Sequence, residues 1–170
     1  INTVLLQTRV RGTVIYPSDI EPWDGCLSGR PGVSPGYDAL AFAVDECHKR
    51  GMTIQAWVVA FPLMNMKVAR QLGKQSLPSR RPELCRKAGN QWMMDPGVPG
   101  TDDYLADLCA EIVSKYDVDG IHLDYIRYPE HSIPFNDKST YRRYGKGMER
   151  NEWRRSNITR LSLIHISEPT

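Results

Sequence analysis

Asp117-Val118-Asp119-Gly120-Ile121-His122-Leu123-Asp124-Tyr125-Ile126-Arg127-Tyr128-Pro129 is the stretch on which the fold turns. Ile121 and Leu123 alternate with His122 and Asp124, which predicts a strand over Gly120 to Arg127 that Tyr128-Pro129 stops. Period two then puts His122 and Asp124 on one face. A carboxylate between Leu123 and Tyr125, near the end of a strand otherwise buried, is costly unless something neutralises or uses it. On sequence alone a structural ion pair with Arg127 or Arg9 competes with a functional role.

Upstream of this strand, Leu105, Leu108, Cys109, Ile112 and Val113 form one helical stripe, with Thr101 placed to cap it and Asp102 and Asp103 in its first turn. Before it, Met52 to Phe61 (MTIQAWVVAF) is a nearly continuous apolar run, as expected of a parallel strand covered on both faces. A helix from the N-cap Asp38 carries Leu40, Ala41, Val44 and Cys47 at helical spacing and ends at Lys49-Arg50-Gly51. The first strand is Thr3 to Val10, followed by a turn-rich loop from Tyr16 to Gly36. A second long connection, Pro62 to Gly100, contains a short helix near Met66 to Leu72 and has the length of a binding element. Downstream, Trp153, Ile158 and Leu161 mark the core side of a last amphipathic helix. Strands alternating with helices predict βαβ units in a parallel sheet, either open or part of a barrel. Three strands cannot close a barrel, so a chain of this extent is expected to be marginal and adhesive by itself.

Composition narrows the partners. The chain has 170 residues, 41% hydrophobic and 25% charged, as in a globular domain. Lys plus Arg 22 against Asp plus Glu 20 gives +2, too little for a nucleic-acid field. The Arg-rich stretch from Arg142 to Arg160 is interleaved with Glu149 and Glu152 and reads as a solvated helix face. No run approaches a membrane span, and no signal peptide is visible in a chain that opens at Ile1. Localisation is therefore unknown from these residues. Cys26, Cys47, Cys85 and Cys109 show no metal or redox spacing, so buried thiols are expected and no metal or cofactor is implied. The last ten residues, Leu161 to Thr170, resemble one reading frame of a transposase adapter used in sequencing libraries. The expected division is a partial barrel domain over 1–160 and a non-native tail over 161–170, with His165 and Glu168 excluded from chemical arguments.

Active sites of parallel α/β folds gather at the carboxyl ends of strands. Those ends offer Gln7 and Arg9, Gln55 and Trp57, and His122 and Asp124. The stretch Asp117 to Pro129 resembles the signature of the family 10 glycosyl-hydrolase-like proteins. Three further blocks agree in order: the Arg9 strand with Tyr16-Pro17-Ser18-Asp19-Ile20-Glu21-Pro22-Trp23, the segment Asp38 to Trp57, and Gln91-Trp92-Met93-Met94-Asp95-Pro96-Gly97.

The resemblance implies an α/β fold, an incomplete (β/α)8 TIM barrel holding strands two to four with their helices. It implies a bacterial glycoside hydrolase that cleaves O-glycosidic bonds of a polysaccharide or cell-wall glycan, in a family whose members are often extracytoplasmic. The His122-x-Asp124 pattern is similar to the fourth-strand motif of amylase-like barrels. By that similarity Asp124 is the nucleophile, His122 contacts the sugar, and the acid/base Glu lies on a fifth strand beyond Arg160, so the 1–160 segment alone is expected to be inactive. Arg9, Trp57, Asp95, Arg127 and Tyr128 are the further substrate-binding candidates. Asp95, Glu130, Asp19 and Glu21 are the local substitutes for the missing acid, each on a loop and each read as a sugar ligand or turn residue ahead of that role. Val59, where the family often has Asn, puts substrate specificity in question. Two other readings stand beside this one: a barrel that binds glycan without cleaving it, and a metal-dependent amidohydrolase-like barrel using His122 and Asp124 with His48 or His131.

Overall fold

The computed structural model describes residues 1–164. His165 and Glu168 lie outside them, as does most of the expected tail. In chain order the elements are β1 (Thr3–Arg9), α1 (Gly25–Ser28), α2 (Ala39–His48), β2 (Thr53–Val59), β3 (Pro62–Asn65), α3 (Met66–Leu72) and α4 (Leu77–Arg80). They continue with β4 (Cys85–Ala88), β5 (Gln91–Met94), α5 (Pro99–Lys115), β6 (Gly120–Asp124), α6 (Lys138–Tyr144) and α7 (Arg150–Ile164).

β1, β2 and β6 form a parallel sheet in that order, so the βαβ alternation read from the sequence is the architecture. The fold is α/β, a segment of a (β/α)8 barrel carrying three parallel strands among the described residues. The register aligns Gln7, Trp57 and His122 across the sheet and sets Val59 beside Asp124. Ile54, Ala56 and Val58 turn to one side, where Leu40, Val44 and Cys47 of α2 and Leu108 and Ile112 of α5 bury them. The apolar stripe of each helix is thus spent on the same sheet face.

Local chemistry sets the helix ends. The Asp38 carboxylate accepts from the Ala41 N–H at 3.0 Å and starts α2, and Asn65 starts α3 by accepting from Val68 N–H at 2.9 Å. α5 begins earlier than Thr101: Val98 is its N-cap and Pro99 opens the first turn, where a missing N–H costs nothing. Thr101 lies inside the helix and donates to the Asp95 carbonyl at 2.7 Å. β6 ends at Asp124, three residues short of the predicted Arg127, because Tyr125 takes a left-handed backbone with φ +57°.

The largest departure lies in the connection from Pro62 to Gly100. Besides α3, which spans the predicted residues, it holds an antiparallel sheet ordered β3-β5-β4. β4 and β5 are joined by Gly89-Asn90, with Gly89 at φ +59°, a glycine-first hairpin turn. A second core gathers under this insert, with Phe61, Leu63, Leu77, Leu84, Met94, Leu105 and Leu161 buried together. Trp153 is buried and Ile158 packs at its edge, so α7 presents the expected side to the core.

Candidate functional site

The carboxyl ends of β1, β2 and β6 point the same way, and the segments leaving them meet there. A cleft of about 150 Å³ opens between them, lined by Arg11, Gln91, Tyr125, Arg127, Tyr128 and Glu130. Arg11 follows β1, Gln91 belongs to the insert that follows β2, and the rest follow β6. In α/β barrels this is the face that carries chemistry.

Asp124 ends β6 beside this cleft. One carboxylate oxygen accepts from the adjacent Tyr125 N–H at 2.6 Å, and its carbonyl accepts from Ala60 N–H at 2.8 Å. Neither ion-pair partner expected from the sequence reaches it. Arg9 is bound to Glu21, and the Arg127 guanidinium lies over the Tyr125 ring at 5.2 Å. Among the described residues no cation pairs with Asp124. A half-buried acid free of a salt bridge, followed directly by a non-glycine residue at positive φ, is the pattern of a strand end bent to present a side chain.

His122 and Trp57 lie next to it on the uncovered sheet face, edge to face with ring centres 6.3 Å apart. The Trp57 indole N–H is buried without an acceptor among the described residues. Tyr128 lies deeper: its hydroxyl accepts from Asn157 at 3.0 Å, Arg154 stacks on its ring at 4.9 Å, and burial pushes its phenol pKa upward.

Two sequence candidates are committed elsewhere. Arg9 is wholly buried, and all five of its N–H donors are spent. Its Nε and Nη2 grip Glu21 at 2.8 and 2.6 Å, Nη1 donates to the carbonyls of Val59 and Ala60, and Nη2 also faces Met94 Sδ. It presents nothing to a sugar, and its partner Glu21 is correspondingly no acid/base substitute. Asp95 is also fully buried, accepting from Thr140 Oγ1 at 2.5 Å and Gly97 N–H at 3.0 Å, with Arg86 at 3.2 Å. Burial raises its pKa against these donors. Both residues build the site rather than line it, because helices and loops distant in sequence close over them.

The other acids separate as well. Asp19 pairs with Lys115 at 2.9 Å on the surface, whereas Glu130 lines the cleft. His48, a candidate metal ligand, bonds Asp119 at 3.0 Å, just before the start of β6 and thus at the end of the sheet opposite Asp124. Among the described residues no three His, Cys, Asp or Glu side chains gather as a ligand set.

Fold and site together define the class of scaffold as a parallel β/α-barrel segment whose loop-bearing face carries a strand-end carboxylate. Within it, the chain belongs to the glycosyl hydrolase-like 10 family, which matches residues 1–167. It is 37% identical over 172 residues to glycosyl hydrolase DigH of Escherichia coli K12, and 34% identical over 165 residues to glycosyl hydrolase YngK of Bacillus subtilis. These alignments cover 95% and 94% of the chain but only 39% and 32% of the relatives, so the chain spans well under half of either. Two solved structures share the fold. One is a hypothetical protein from Ruminiclostridium thermocellum, with TM-score 0.61, 22% identity, and 95% of this chain and 77% of that one covered. The other is the α-L-fucosidase isoenzyme 2 of Paenibacillus thiaminolyticus, with TM-score 0.59, 16% identity, and 97% and 24% covered.

Proposed function

We propose that this chain is the part of a retaining glycoside hydrolase that supplies the nucleophile, Asp124, for cleavage of O-glycosidic bonds in a bacterial polysaccharide or cell-wall glycan. The observation that carries the reading is the state of Asp124. It ends a barrel strand one residue before Tyr125, which lines the cleft, holds a single N–H on its carboxylate, and has no cation partner among the described residues.

A retaining glycosidase needs two carboxyl groups about 5–5.5 Å apart, one attacking the anomeric carbon and one protonating the leaving oxygen and then activating water. Asp124 takes the first role. The second falls, by the family resemblance, to a glutamate on a further strand beyond Arg160, which leaves the 1–160 segment inactive alone. Trp57 and His122 receive the sugar on the sheet face, and Arg127 and Tyr128 line its path through the cleft. Stacking on an indole face suits a pyranose, whose C–H bonds present an apolar face to the ring.

The test uses the full-length protein on purified bacterial cell-wall glycan, following reducing-end release and the anomeric configuration of the first product by NMR. The reading expects turnover with retained configuration. Glycan binding without any release would favour the non-catalytic barrel, and inverted product would remove Asp124 as nucleophile.

A further inference from the structure

We propose that Arg9 is a positioning residue for Asp124, acting through a single peptide plane; this rests on the reading of Asp124 as the nucleophile. Arg9 Nη1 donates to the carbonyl of Val59, the residue paired in register with Asp124. The N–H on the other side of that same peptide unit belongs to Ala60, and it donates to the Asp124 carbonyl at 2.8 Å. Because a peptide unit is planar, fixing its carbonyl fixes the direction of its N–H. Arg9 therefore sets the hydrogen bond that holds the Asp124 main chain. The same Nη1 also grips the next carbonyl, Ala60, at 2.6 Å, which keeps the two successive planes in one relation.

The carboxylate follows the main chain. Its one bound oxygen takes the Tyr125 N–H at 2.6 Å, and Tyr125 is at φ +57°, so a small rotation at Asp124 redirects the side chain. Glu21 completes the device from the loop after β1. It takes the Nε–Nη2 edge of the guanidinium and is itself held by the Tyr104 hydroxyl, which donates to it at 3.0 Å. A wholly buried ion pair adds little net stability over an apolar pair of equal volume. Its value lies in the five-donor planar fork, which spans both carbonyls and the carboxylate at once. Lysine, a point charge with three donors, cannot reproduce that geometry.

The experiment compares three variants of the full-length protein with Asp124→Asn as reference, reading kcat and KM for glycan release and circular dichroism for the fold. Arg9→Lys is expected to fold and to lower kcat about 10–100-fold, the cost of a misplacement near 1 Å, with KM nearly unchanged. The double variant Arg9→Met with Glu21→Leu removes both charges while keeping volume, and it is expected to be equally slow although well folded. If the pair serves only to hold the structure, that double variant turns over at the parental rate, and this result overturns the proposal. Glu21→Gln, nearly isosteric, decides the matter if the larger changes do not fold: a kcat within about twofold of the parent refutes positioning. An active Asp124→Asn protein removes the nucleophile reading and the proposal with it. An inactive Asp124→Asn beside a fully active Arg9→Lys removes the proposal alone.

Discussion

The two faces of the β1-β2-β6 sheet are built from the same strands and have different fates. On one face Ile54, Ala56 and Val58 are fully buried under α2 and α5. On the other, Leu5 is 48% exposed, and Gln7, Gln55, Trp57 and His122 stand without a covering layer among the described residues. The covered face is aliphatic and finished by the chain's own helices. The open face mixes aromatic, amide and titratable groups and runs straight into Asp124. Stability and chemistry are therefore divided by strand alternation, each residue type falling to one side or the other by period two.

The sharpest break of this comparison is Asp124→Asn in the full-length protein. Glycan hydrolysis is expected to fall below detection while the melting temperature stays close to the parent, since no ion pair to Asp124 is lost. A large drop in melting temperature would make Asp124 a structural acid after all. On the covered face the pattern reverses. Leu108→Ala, at a fully buried position, is expected to cost about 2–5 kcal/mol in denaturant unfolding with kcat per folded molecule unchanged.

A smaller effect tests how the loop after β1 is tied to α5. Glu111 accepts from Ser18 Oγ at 2.6 Å, the Asp19 N–H at 2.6 Å and the Tyr16 hydroxyl at 2.8 Å. Burial alone would raise its pKa, but these donors hold it below the ordinary 4.5. The unfolded chain then takes up the proton first as pH falls. The contribution is complete above about pH 4.5 and is lost as pH drops through the lower folded value. Glu111→Gln should flatten the melting temperature over that acid range.

The smallest effect has the opposite sign. The hydrogen bond to Asp119 raises the pKa of the exposed His48, so its contribution is present below 6.5 and lost as pH rises through the higher folded value. His48→Gln should remove a slight loss of thermal stability above neutrality and leave activity untouched, which would also retire His48 as a metal ligand.

Much of this was legible from residue order, and the limits have physical causes. β2 is a local apolar run, and the Asp38 cap acts on an N–H group three residues away, so both signals sit within one window of sequence. The connection and its helix are legible in the sequence, but the sheet within it is not, because its strands are only four residues long and carry too little alternation to read. The Gly89-Asn90 pair between two short runs was the available sign of its hairpin. His122 and Asp124 share a face because they are two apart on one strand, but the barrel itself came from family resemblance rather than from periodicity. In the sequence Arg9 and Asp95 look free to bind a sugar because their partners are remote. Glu21 reaches Arg9 across a loop, and Thr140 reaches Asp95 from 45 positions away. Long-range pairing of this kind is fixed by packing and leaves no mark in spacing.

The most direct test of the central claim is to trap the glycosyl-enzyme. The full-length protein is incubated with a 2-deoxy-2-fluoro glycosyl fluoride that it turns over slowly, digested, and mapped by mass spectrometry. The account predicts one covalent sugar on the peptide that carries Asp124, absent from the Asp124→Asn protein. A sugar attached at another carboxylate, or steady hydrolysis with no adduct at all, would contradict it.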